Sequence, residues 1–127
     1  MKLLLDTQVL IWIFGQQEKL SAQAVEFIQD KNNELFVSIV SLWEIAIKIK
    51  LGKLNLPVEL SQFIADVTAN DIEILNIETS HLLHLTSLPL HHRDPFDRLI
   101  ISQGMVEKLR FISSDKAFVL YPITNAW

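Results

Sequence analysis

Cysteine is absent from the chain. That excludes a disulfide scaffold, thiolate zinc sites and cysteine nucleophiles together, and it fits a reducing cytoplasm. No apolar run approaches the roughly 18 residues that a membrane span needs. The opening stretch MKLLLD reaches Asp6 after a few leucines, too short for the core of a signal peptide. A soluble cytoplasmic protein, with no membrane partner, is the expectation. Positive charge is also scarce: the net charge is −4. A protein that coats nucleic acid by summed positive charge is thereby excluded, but an enzyme that touches nucleic acid locally is not. Repeats, low-complexity tracts and linkers are missing too, so residues 1–127 read as one domain.

What is present suits a folded core. Hydrophobic residues make up 50% of the 127 and charged residues 20%, a composition that folds rather than staying disordered. Short apolar runs at 2–5 (KLLL), 35–40 (LFVSIV), 72–75 (IEIL), 110–113 (RFIS) and 119–123 (VLYPI) predict strands. Between them, helical spacing predicts helices over Ala22 to Asp30, Leu42 to Leu51, Pro57 to Ala69, Thr79 to Leu85 and Pro95 to Lys108. Gly52 follows Lys48 and Lys50 and marks a helix stop. Strands alternating with helices require crossover connections, hence an α/β fold: a three-layer α/β/α sandwich with a mainly parallel central sheet. The segment VLIWIF at 9–14 is apolar all round, which predicts cover on every side, partly by a partner over Trp12 and Phe14.

An open parallel sheet binds ligands outside the carboxyl ends of its strands. Asp6 follows the first predicted strand, Glu44 lies in the helix after the second, Asp97 lies one turn into the helix that begins near Asp94, and Asp115 follows RFIS after Ser113 and Ser114. These carboxylates, from distant parts of the chain, are therefore expected on one edge. Each also has a purely structural reading. Ser41-Leu-Trp-Glu44 matches a capping box. Asp94-Pro95-Phe96-Asp97 reads as an N-cap, a proline at the first helical position and an acidic first turn. Asp6 and Asp115 can cap the segments that start at Thr7 and Lys116.

Gathering carboxylates is unfavourable: two charges about 4 Å apart repel by roughly 4 kcal/mol at an effective dielectric of about 20. Mg²⁺ or Mn²⁺, hard ions that prefer oxygen ligands, reverse that penalty. With such ions the cluster can activate a water and stabilise charge on a phosphodiester under in-line attack.

The combination of Asp6-Thr7 after a short strand, SLWE ending in Glu44, DPFDRLIISQ with Asp97, and SSD with Asp115 resembles a PIN domain. More narrowly, it is similar to the VapC-type toxins of type II toxin–antitoxin pairs. The resemblance covers residues 1 to about 123 and implies a Mg²⁺- or Mn²⁺-dependent endoribonuclease. It places the catalytic and metal-binding roles on Asp6, Glu44, Asp97 and Asp115, and supporting roles on the hydroxyls of Thr7, Ser41 and Ser113. RNA as substrate, a cognate antitoxin that blocks the site with a basic or aromatic segment, and a homodimer are implied as well. Within DPFDRLIIS, Asp97 fits the family's pattern as the third acidic position and Asp94 the helix cap.

His91, His92, Arg93 and Arg98 are candidates for touching RNA phosphates, the arginines through paired hydrogen bonds. Lys48, Lys50 and Lys53 form a basic stripe that either extends an RNA path or is a solvated helix face. Trp43 either stacks on a base or packs in the core. His81 and His84, three apart, either form part of a transition-metal site or are partly exposed helical residues. Two other functional classes compete with the nuclease. A phospho-acceptor signalling module requires a carboxylate pair near the first strand, where Asp6 stands alone. A silent PIN-like binding module is disfavoured by the filled acidic positions.

Overall fold

Leu3, Leu4 and Leu5 are all fully buried, and a strand whose successive side chains are buried on both faces must lie inside a sheet that is covered on both sides. The computed structural model, which describes residues 1–91 and 94–127, places this strand, β1 (Lys2–Leu5), between β2 (Glu34–Ser38) and β4 (Arg110–Ile112). With β3 (Ile72–Leu75) outside β2, the sheet runs in the order β3-β2-β1-β4, and its strands pair in parallel. Leu5 stands opposite both Val37 and Ile112, so Asp6 and Ser113 emerge side by side at the carboxyl edge.

The helices are α1 (Thr7–Ile13), α2 (Ala22–Gln29), α3 (Ile39–Lys50), α4 (Leu60–Ala69), α5 (Thr79–Ser87) and α6 (Pro95–Val106). Side-chain alternation along the strands sorts them into layers. Leu3, Leu5, Val37 and Ile112 pack with Val9 and Leu10 of α1, Ala24 of α2, and Phe63 and Val67 of α4. Leu4 and Phe111 pack on the opposite face with Leu99, Ile100 and Ile101 of α6. Helix α3 serves both faces, through Leu42 and Ile45 on one and Val40 on the other. Burying each such leucine or isoleucine contributes about 1.5–3 kcal/mol, so these two apolar layers hold the sheet between them. The three-layer α/β/α sandwich with a parallel sheet is thus the observed architecture. Among the described residues, no helix is long and apolar enough to cross a membrane.

Several boundaries differ from the sequence reading. The segment 119–123 is not a strand. Residues Lys116–Leu120 form a 3-10 turn, and Phe118 and Tyr121, three apart, face inward while Val119 and Leu120 face solvent. That is a helical rather than an alternating pattern, and Pro122 lacks the amide that a ladder needs. The outer edge of β4 is instead met further on, where Phe111 bonds to Thr124 and Ala126. Strand β2 stops at Ser38 because the Ser38 hydroxyl accepts the Val40 amide and starts α3 there, three residues before Ser41. The capping box at Ser41–Glu44 is therefore corrected: both residues lie inside the helix. Strand β4 likewise ends at Ile112, one residue before Ser113. Helix α4 begins at Leu60 rather than Pro57, with Glu59 at its N-cap.

At the other end of α3, Gly52 adopts φ 71°, and the Gly52 and Lys53 amides bond back to Ile49 and Lys48. This left-handed C-terminal cap stops the helix where the sequence placed the stop. The apolar stretch at 9–14 finds part of its cover within the chain: the Trp12 ring packs on Trp127 and the Phe14 ring on Phe63. Both side chains remain half-buried.

Gly104 of α6 is set against the Phe111 ring so closely that an added Cβ would lie 2.1 Å from Cζ. Gly104→Ala is expected to lower the free energy of unfolding by about 1–3 kcal/mol through overpacking, despite the gain of up to about 1 kcal/mol in helix propensity. Urea unfolding checks this; a variant as stable as the wild type would show that α6 slides freely on β4.

Candidate active site

Successive connections diverge on either side of β1: the chain passes from β1 to β2 to β3 in one direction, and β4 returns to the other side of β1. The carboxyl edge at such a switch point is a natural crevice. A cavity of about 280 Å³ lies there, lined by Asp6, Thr7, Gln8, Ile11, Glu44, Lys48, Asp94, Asp97, Ser114 and Asp115. The acidic residues expected from distant parts of the chain are brought together at this one place.

Asp6 caps α1. Its Oδ1 accepts the Val9 amide at 2.8 Å and its Oδ2 accepts the Ser113 hydroxyl at 2.5 Å, while its own amide donates to the Ile112 carbonyl across the sheet. Burial pushes the Asp6 carboxyl above its ordinary range; the bonds from Ser113 and Val9 oppose this without cancelling it, and the neighbouring Asp115 charge adds to it. Ser113 also accepts the Asp115 amide at 3.0 Å, so one hydroxyl spaces the two acidic residues. The Asn125 side chain clamps Ser113 in turn, accepting from its amide and donating to its carbonyl. Asp115 caps the turn after β4 by accepting the Ala117 amide.

Glu44 reaches the same cavity from the second turn of α3 and is only 4% exposed. The Thr7 hydroxyl stands 2.8 Å from the Ser41 hydroxyl and 3.0 Å from Glu44 Oε1. Thr7 has one hydrogen to give, so the chain of bonds runs from Ser41 through Thr7 to the carboxylate. The Lys48 ammonium donates to Glu44 Oε2 at 2.7 Å. This bond raises the Lys48 pKa above its usual value, and the Asp94 and Asp97 charges push the same way.

Asp94 caps α6, its Oδ1 accepting the amides of Phe96 and Asp97, with Pro95 at the first helical position. Asp97 follows one turn in, and both carboxylates line the cavity. The α6 frame is tied to the rest by Gln103, which accepts from the Ser38 hydroxyl and donates to the Asn76 carbonyl.

Other candidates are placed elsewhere. Arg98 directs Nη2 to the Leu88 carbonyl at 3.1 Å, which anchors the segment before α6. His92 and Arg93 lie outside the described residues, whereas His91 is exposed, with its ring against Tyr121. His81 is fully buried rather than partly exposed: Nδ1 accepts the Glu78 amide, Nε2 faces Glu107 at 3.4 Å, and its carbonyl accepts from Ser102. It locks α5 to α6. Trp43 is 56% exposed and packs edge-on against Phe96, outside the core. Of the basic stripe, Lys48 turns to the cavity and Lys50 is exposed.

Among the described residues, no three histidine, cysteine, aspartate or glutamate side chains stand close enough to hold a metal ion as they are placed. Both oxygens of Asp6 and both oxygens of Glu44 accept hydrogen bonds from donors of the protein. The donor set itself suits a hard divalent ion, being carboxylate throughout. The Lys48 ammonium lodged on Glu44 shows that the cavity already draws in a positive charge. Asn125 is a residue whose place here the sequence did not announce; Lys48 was read as part of a basic stripe, and its spacing of one helical turn from Glu44 signalled the ion pair between them.

Residues 3–122 match the family described as PIN domain. The chain belongs to the PIN domain family. Solved structures agree on the fold. A chain of VapBC2 from Rickettsia felis, in a crystal structure bound to a DNA fragment from their promoter, superposes with a TM-score of 0.73 at 16% identity, over 98% of this chain and 97% of that one. A chain of VapBC-1 from nontypeable Haemophilus influenzae gives 0.67 at 20% identity, over 98% and 96%. A chain of a toxin-antitoxin complex from Klebsiella pneumoniae gives 0.65 at 21% identity, over 98% and 97%. No match was found among curated proteins. At these identities the likeness is one of fold, and this PIN chain shares it over nearly its whole length.

The upward shift of Asp6 has a thermodynamic sign. The native PIN chain holds the Asp6 proton more tightly than the unfolded chain does, so ionising Asp6 costs stability. That cost is absent below the ordinary aspartate range and grows as pH rises through the raised value. In metal-free buffer, Asp6→Asn, which keeps an acceptor for the Val9 amide, should therefore unfold at higher urea than the wild type at about pH 8, with the difference shrinking towards about pH 4. A variant less stable at the higher pH, or a difference independent of pH, contradicts this reading.

Proposed function

We propose that this PIN domain protein is a Mg²⁺- or Mn²⁺-dependent endoribonuclease, the toxin of a toxin–antitoxin pair. The observation that carries the reading is the cavity at the β1–β4 switch point, where Asp6, Glu44, Asp94, Asp97 and Asp115 share one small volume. Asp6, Glu44, Asp97 and Asp115 would hold the ion, which when bound supplies a lowered water pKa and positive charge to the phosphodiester. Thr7 and Ser41 orient Glu44, and Ser113 orients Asp6 while spacing it from Asp115. Asp94 positions α6, and with it Asp97, through the cap. Arg98 anchors the segment before α6 through one Nη2 bond to the Leu88 carbonyl, and the other donors of its guanidinium keep it a candidate for an RNA phosphate.

The partners follow from the same reading. Likeness of fold to chains described as VapBC and as a toxin-antitoxin complex supports a cognate antitoxin. Exposed apolar side chains at Trp43, Leu83 and Leu90 leave surface for that antitoxin or for a second copy in a homodimer. RNA in the cytoplasm is the substrate proposed.

Digestion of a mixed RNA pool by the purified protein tests the function. Cleavage with Mg²⁺ or Mn²⁺ that stops in EDTA and in Asp6→Asn is expected; metal-independent cleavage, or equal cleavage by the variant, refutes the mechanism. The two aspartates of DPFD separate in the same assay. Asp97→Asn should reduce cleavage on the order of 10²–10³-fold, as loss of a preorganised charge-stabilising group does. Asp94→Asn, still a good cap, should keep most of the activity. The reverse ranking would exchange their roles.

A further inference from the structure

Among the described residues that line the carboxylate cavity, Lys48 is the cationic side chain, and its place there has a physical cause. Glu44 is nearly fully buried, and a buried carboxylate left without a positive partner is strongly unfavourable. Glu44 Oε1 is met by Thr7 and Oε2 by the Lys48 ammonium. The two ends of this pair differ: the side chain of Glu44 is 6% exposed and that of Lys48 is 45% exposed. One partner is fixed by the helix and its hydroxyl neighbours, while the other is a flexible four-carbon stem with room to swing. Lys50, two residues on, is exposed, and Lys53 lies beyond the cap of α3.

A phosphodiester entering a volume lined by Asp6, Glu44, Asp94, Asp97 and Asp115 meets strong repulsion. Resting on the reading of the cavity as a divalent-ion nuclease site, we propose that Lys48 is a transferable cation. Its ammonium holds Glu44 while no divalent ion is bound, and it turns to a non-bridging phosphate oxygen of the RNA strand once the carboxylates are otherwise engaged. An ammonium suits this exchange because it is a compact charge with three rotatable donors, able to donate to a carboxylate oxygen or to a phosphate oxygen. Lys48 stays protonated throughout, so the exchange moves no proton. Lys48 thereby competes with the ion for Glu44 and serves the substrate in its presence, two roles that a purely structural ion pair would not combine.

The competition and the service have opposite signs in experiment. Mn²⁺ affinity is measured without RNA, from the electron paramagnetic resonance signal of free Mn²⁺. Lys48→Gln should bind Mn²⁺ about 2- to 5-fold more tightly than the wild type, the size of one partly exposed ion pair. At saturating Mn²⁺ and RNA the same variant should cleave on the order of 10²-fold more slowly, and Lys48→Arg should recover part of that loss. Equal or weaker Mn²⁺ binding by Lys48→Gln overturns the proposal, as does tighter binding with undiminished cleavage. A wild-type protein that takes up no Mn²⁺ removes the nuclease reading and this inference together. A wild type that binds Mn²⁺ leaves the nuclease reading standing whichever way Lys48→Gln behaves.

Discussion

Asp6 joins three elements through one residue. Its amide bonds to the last residue of β4, one carboxylate oxygen caps α1, and the other receives the hydroxyl of Ser113. The rest of the site is arranged around this joint. It ties the carboxyl ends of β1 and β4 together, starts α1 at the crevice, and spaces Asp115 through the second bond of Ser113. Burial makes the ionised joint unfavourable in the absence of a cation, so the constraint that organises the fold also creates the demand for positive charge.

That demand explains why capping is compatible with the metal binding proposed for these residues. An ionised carboxylate offers two oxygens and about four lone-pair positions. Capping an amide uses only part of this capacity, and Asp6, Asp94 and Asp115 each cap a helix or turn while lining the cavity themselves. Backbone amides thus hold the carboxylates in place while lowering their mutual repulsion. Glu44 differs, since it sits inside α3 and is held by the relay from Ser41 through Thr7 and by Lys48. Among the described residues, the cavity is accordingly balanced by many small donors and the Lys48 ammonium.

The layered architecture and the acidic set were legible in the sequence because both depend on local signals. Leu3 to Leu5 and Leu35 to Val37 form short apolar runs, and Asp6 and Asp115 directly follow or nearly follow strands. The errors arose where a tertiary contact overrode a local pattern. Ser41 and Glu44 have the spacing of a capping box, but Ser38 also caps and lies nearer the strand, held by its bond to Gln103 from α6. VLYPI has the composition of a strand, yet Phe118 beside Phe111 fixes a turn there, and the edge of β4 is met only at Thr124–Ala126. His81 looked like an amphipathic helix residue; its burial depends on Ser102 and Glu107, both distant in sequence. The bond from Asn125 to Ser113 spans a distance no local spacing could signal.

On the function proposed, the β1–β4 crevice is a divalent-ion site built on Asp6. Thermal unfolding of the wild type at increasing Mn²⁺ tests it most directly, because an ion that binds only the native state raises the midpoint by mass action. The account predicts a midpoint that climbs with Mn²⁺ in the wild type and stays level in Asp6→Asn. A level midpoint in the wild type, or an equal climb in both proteins, would contradict it.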